Sequence, residues 1–205
     1  MTSFRRFYSH GGVRSEEITS TDQRPYGRVT APERFAALHT LGEATLQRLA
    51  DTYAVDRAEG SAIDPELAGV PGIGRLVRLT PADSMGAPLT VGFLAFPGLV
   101  VRAGRWHQAV FPGCGCDACD EDPAEVGAAF TDLVAAVVAG SFQEAIELPW
   151  IGSAWLTHAY GHADDARGRR AGRRVVSRTT ARAYLRANGA AAPWGAWVAR
   201  GTRPP

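Results

Sequence analysis

Every cysteine of the chain lies in the stretch FPGCGCDACDED, residues 111–122, with Cys114, Cys116 and Cys119 inside six positions. Three thiols so close together can hold a soft cation, do redox or nucleophilic chemistry, or simply pack. Zinc takes four tetrahedral ligands with sulfur at about 2.3 Å, and a C-x-C-x2-C spacing lets three sulfurs converge from one tight loop. Gly113 and Gly115 supply the backbone freedom for such a bend. Asp117, Asp120, Glu121 and Asp122 surround the thiols. Their charge favours a cation and raises thiol pKa values, which counts against a reactive nucleophile. Cys119 precedes a helix start, where the helix dipole would act the other way. The metal reading is preferred to inert packing, and both to redox chemistry.

Zinc needs a fourth ligand. His107, seven residues before Cys114, is the first choice; Asp117 and Asp120 lie inside the loop, and His158 and His162 are more distant. The expected ligand set is therefore Cys114, Cys116, Cys119 and His107. The signal lacks a second C-x2-C or a nearby histidine pair, either of which would make it specific. His158 and His162 are four apart, but on a strand that spacing separates them by about 13 Å. Glu144 and Glu147, three apart on a strand, point to opposite faces and do not form a general acid/base pair.

These residues need elements to position them. Thr30 and Glu33 open a capping box, and apolar residues at helical spacing predict a helix over 31–54. RLVRLTP (75–81), LTVGFLAF (89–96) and LVVRAGRW (99–106) read as strands, the last two joined by a Pro97-Gly98 turn. Asp122 caps a helix over 123–139 that begins with Pro123 and stops at Gly140. SFQEAIEL (141–148) and residues 153–160 read as two further strands, and 177–189 as a short basic helix. The expected architecture is α+β: a mainly antiparallel sheet of about five strands, two main helices on one face and a short C-terminal helix. The expected divisions are an irregular segment 1–29, a core 30–161 with the cysteine loop 111–122, a mobile Arg-rich loop 162–176, and a C-terminal helix and Trp-containing tail 177–205.

Composition narrows the functions. The chain has 205 residues, 45% hydrophobic and 21% charged, an ordinary globular balance. All 22 basic residues other than histidine are arginine. Without a lysine, Schiff-base enzymes, P-loop nucleotidases and protein kinases are excluded in their usual forms. Residues 163–205 carry net +8 and the rest −7, so an Arg-rich surface could contact nucleic acid, though a solvated basic face is the preferred reading. The start, MTSFRRFYSHGG, is not followed by an apolar run, and no stretch has the apolar length of a membrane span. A cytoplasmic protein with no membrane partner is expected.

YGRVTAPERF, LTPAD, PLTVGFLAFPGLVVRAGRW and FPGCGCDACDE resemble a family of uncharacterised actinobacterial proteins, a domain of unknown function whose signature is the CGCDACDE loop. The resemblance runs from about Tyr26 to Trp197 and implies no activity, substrate or catalytic residue.

The residues together point to a binding or interaction module rather than an enzyme, with zinc held by the thiol loop in a structural role. Two alternatives stay open. One is a zinc-dependent hydrolytic enzyme with water at an open metal position and a nearby carboxylate as base. The other is a nucleic-acid-binding protein using residues 167–186.

Overall fold

A computed structural model describes residues 27–161, 170–188 and 194–202. A 3-10 turn over Pro32–Phe35 leads into α1 (Ala37–Thr52). Then come β1 (Val55–Glu59), the short α2 (Pro65–Ala68), β2 (Ile73–Pro81), β3 (Leu89–Leu94), β4 (Leu99–Ala103) and β5 (His107–Phe111). Next follow α3 (Pro123–Val138), β6 (Gln143–Glu147), β7 (Ala154–Tyr160), β8 (Arg170–Val176) and α4 (Arg178–Asn188).

The fold is α+β, and every described strand pairing is antiparallel. β1 to β5 form a five-stranded meander in chain order, and β6-β7-β8 form a second sheet. The expected strands 75–81, 89–96 and 99–106 are β2, β3 and β4, with the last ending at Ala103. Gly104, at φ +66°, turns the chain into β5. The strands expected at 141–148 and 153–160 lie in the second sheet, as β6 and β7, rather than in one common sheet. Residues 170–176, read from the sequence as loop, form β8, while 162–169 lie outside the described residues.

Period-two alternation sorts the large sheet into two faces. Val77, Leu79, Leu89, Val91, Leu99 and Val101 meet Phe35, Leu38, Leu46 and Leu49 of the first helical region and Phe130, Leu133 and Val137 of α3. Leu76 and Val100 turn the other way, onto Leu67 of α2. Gly92 sits between them in the register, and a Cβ there would stand 2.6 Å from Val100 Cγ1. The tail closes the main core. Trp197 is buried, its Nε1 donating to Ala87 O at 3.0 Å and its N–H to Val138 O at 2.9 Å.

The two sheets meet at a buried carboxylate. Glu144 of β6 accepts N–H donations from Arg105, Trp106 and His107 in the β4–β5 turn at 2.9, 3.0 and 3.0 Å, and from Trp194 Nε1 at 3.1 Å. Burial raises its pKa, and the four donors offset part of that by favouring the ion. A Cβ on Gly104 would meet Glu144 Oε2 at 2.3 Å, so the turn needs glycine for space as well as for its positive φ.

Candidate metal centre

Backbone hydrogen bonds shape the loop that follows β5. The Glu121 carboxylate accepts the backbone N–H groups of Gly113, Cys114 and Gly115 at 3.0, 2.8 and 2.8 Å. Three consecutive amides thus wrap one side chain. Gly115 has φ +72°, and a Cβ there would meet Phe96 Cζ at 3.0 Å. At the other end, Cys119 and Asp120 N–H both donate to Cys116 O, at 3.1 and 3.2 Å, and Asp120 adopts φ +46°. These bonds close a tight turn around Cys116-x2-Cys119. Asp122 then caps α3, accepting from Ala124 N at 2.7 Å.

The result is a cluster in which the Sγ atoms of Cys114, Cys116 and Cys119 all lie within 4.8 Å of one another. Cys114 and Cys116 sulfurs are 3.2 Å apart. Tetrahedral ligands about 2.3 Å from an ion stand roughly 3.8 Å from each other, so the donor set fits a thiophilic cation with small adjustments. The three cysteines lie close enough to bind a metal ion. Cys116 is the buried apex, at 1% exposure, while Cys114 and Cys119 are exposed.

The thiols differ in acidity. The Gly27 backbone N–H, and after it the Cys114 thiol, bring Cys116 down to about 6 against the opposing effect of burial. Hydrogen bonds to Cys114 and then Cys116, followed by burial, push Cys119 up to about 12. Of these two sulfurs, the one whose acidity is raised is buried, and the exposed Cys119 is held protonated. That is a poor arrangement for a nucleophile and a workable one for a ligand set, since thiolates form as metal displaces protons.

The neighbouring carboxylates do not face the sulfurs in the way their sequence positions suggest. Glu121 is engaged by the amides. Asp117 Oδ1 accepts from Thr30 N at 3.0 Å and Thr30 Oγ1 at 3.2 Å, and Arg34 pairs with Asp120 at 3.4 Å. The capping box expected at Thr30 does not form; residue 31 holds the N-cap position of the 3-10 turn, with no side-chain cap, and Thr30 is recruited by the cysteine loop. The signal for Glu121 as a clamp was slight, because nothing in CDED distinguishes the carboxylate that folds back from those that do not.

The structure does not bring His107 to the thiols. It opens β5, whose other end leads to Cys114, and four residues of extended strand cover about 13 Å. Its ring instead lies 3.8 Å from that of His158 between centroids, with Phe142 and Tyr160 beside it. Burial, then His158 and Arg174, lower His107 to about 3, and burial lowers His158. His107 Nε2 is buried without a hydrogen-bond partner. His162 lies outside the described residues. Glu144, set aside as an acid/base candidate, is the inter-sheet clamp, and Glu147 is exposed.

A family model of unknown function (DUF6226) matches residues 12–201. The chain belongs to this family. No curated protein and no solved structure matches it. Membership of DUF6226 covers both sheets and the thiol loop, and it attaches no chemistry to them. Among the described residues, no helix is long and apolar enough to cross a membrane.

Proposed function

We propose that this DUF6226 protein is a non-catalytic binding or interaction module whose thiol loop holds a zinc-type cation in a structural role. The observation that carries the reading is the convergence of three sulfurs within 4.8 Å on a loop whose carboxylates are engaged elsewhere. The site joins three parts of the chain. Asp117 N–H donates to Arg28 O at 2.9 Å, the Gly27 N–H reaches Cys116, β5 feeds the loop, and α3 leaves it. A cation there would fix residues 27–30 and the start of α3 onto the end of β5. Cys114, Cys116 and Cys119 are the ligands proposed. His107 is not, because it stands at the far end of its strand.

The same geometry disfavours a hydrolytic centre. A general base must be within hydrogen-bond reach of a metal-bound water, and Glu121, Asp117 and Asp120 are all committed to other partners. A cytoplasmic, reducing location suits three free thiols that form no disulfide. Thermal melting with and without a strong chelator tests the structural role: a lower midpoint, restored by added zinc, is expected. A midpoint that ignores the chelator, in protein shown to carry metal, would contradict it.

A further inference from the structure

The connection between β6 and β7 carries two neighbouring apolar side chains almost entirely in solvent, Trp150 at 94% exposure and Ile151 at 83%. They are held out rather than left loose. Arg178, at the start of α4, donates from Nη1 to Pro149 O at 2.7 Å and Gly152 O at 3.0 Å, bracketing the pair. Val175, which pairs with Trp155 near the same end of the sheet, is 54% exposed.

The surroundings are cationic. Among the described residues of 141–188 there are six arginines and two acids, and one of the acids, Glu144, is buried. Arg178 braces the connection and Arg173 lies on the outward face of β8, while Arg174 turns to the inner face toward His107, and the exposed Glu147 ends β6 beside the connection. An exposed tryptophan and an aliphatic neighbour on a connection braced by Arg178, on elements rich in arginine, match the boundary between headgroups and acyl chains of an anionic bilayer. Single-stranded nucleic acid fits less well. The outward face of this sheet carries Gln143, Ala145, Glu147, Thr157, Ala159, Ala171 and Val175 around one ring, Trp155, and Arg173 already covers that ring at 4.3 Å. Trp150 is then the one uncovered ring at this end of the sheet among the described residues, too little for a run of stacked bases.

We propose that the Trp150–Ile151 tip is a membrane-surface anchor that docks the protein on anionic lipid. The contact is peripheral, so the lack of a spanning segment in the sequence does not bear on it, and it is independent of the metal site. Co-sedimentation of the full chain is compared on vesicles of phosphatidylcholine alone and with about one third phosphatidylserine, at low and high salt. Binding to the anionic vesicles alone is expected, weakening with salt. The double variant Trp150→Ser/Ile151→Ser should reduce partition by about tenfold or more, since two large apolar side chains lose their burial. Its melting point should match the parent, and the fluorescence difference between the parent and Trp150→Phe should shift to the blue on vesicles. Absence of vesicle binding, or binding unchanged in the double variant, would overturn the proposal. Tip-dependent binding of a single-stranded oligonucleotide, or tip-dependent dimerisation, without vesicle binding would overturn it equally.

Discussion

The Glu121 carboxylate accepts the Cys114 backbone N–H at 2.8 Å. The same side chain also holds Gly113 and Gly115, so the cysteine loop is shaped by an anion folded inside it before any cation is considered. Glu121→Ala is expected to destabilise the protein by about 1–2 kcal/mol, a partly exposed charge-assisted cluster. The larger effect should fall on the site. With the amides released, zinc affinity in a competition titration should fall more than tenfold, while Glu125→Ala, on the next turn, changes it little.

Glu144 presents the buried counterpart. Glu144→Ala leaves four N–H donors without an acceptor and should cost about 3 kcal/mol or more in denaturant unfolding. Glu144→Gln keeps one acceptor oxygen and should fall between the variant and the parent. Equal stability of parent and alanine variant would remove the carboxylate as the link between the sheets.

Acid should destabilise the protein through its buried histidines. His107 is held at about 3 and His158 is also lowered. The unfolded chain therefore binds protons below about pH 6.5 that the folded chain refuses. Stability is complete above that pH and falls as pH drops toward 3, by up to about 1.4 kcal/mol per pH unit for each group. Glu144, raised by burial, works in the opposite direction above its ordinary value of 4.5 and offsets part of the loss there, so the loss should be steepest between about pH 4.5 and 3, where only the histidine effect is left. His107→Leu should flatten the stability profile in that interval. An unchanged slope would show that other groups dominate it.

Gly92→Ala adds a methyl between Leu76, Val100 and Ile73, within 2.6–2.8 Å of their side chains. Overpacking of this kind costs about 1–3 kcal/mol. A thermal melt of this variant, read against Gly60→Ala with its open surroundings but positive φ, separates crowding from backbone strain.

The sequence made some of this legible and hid the rest for physical reasons. The helices at Ala37–Thr52 and Pro123–Val138 announced themselves by apolar spacing and, for the second, by Asp122 and Pro123. β1 did not, because VDRAE is exposed at four of its five positions and carries no apolar alternation. β8 did not either: RAGRRVV is an edge strand on the smaller sheet, and its arginines read as solvated loop. β5 was hidden because the turn at Gly104–Trp106 carries no proline, asparagine or aspartate to mark it. Read without that turn, His107 ends the strand before the cysteine loop; with it, His107 opens β5 and stands at the far end of that strand. The three thiols were readable because spacing alone brings i, i+2 and i+5 together in a tight loop. The carboxylates were not, because side-chain direction depends on Thr30 and Arg34, more than eighty positions away.

The thiol loop as a cation site is tested most directly by metal stoichiometry. Elemental analysis is made of protein purified without an affinity metal, beside Cys116→Ser, which removes the buried apex of the cluster. The account predicts about one zinc per chain in the parent and a loss of that zinc in the variant. A parent that holds no metal after reconstitution, with three freely titrating thiols, would contradict it.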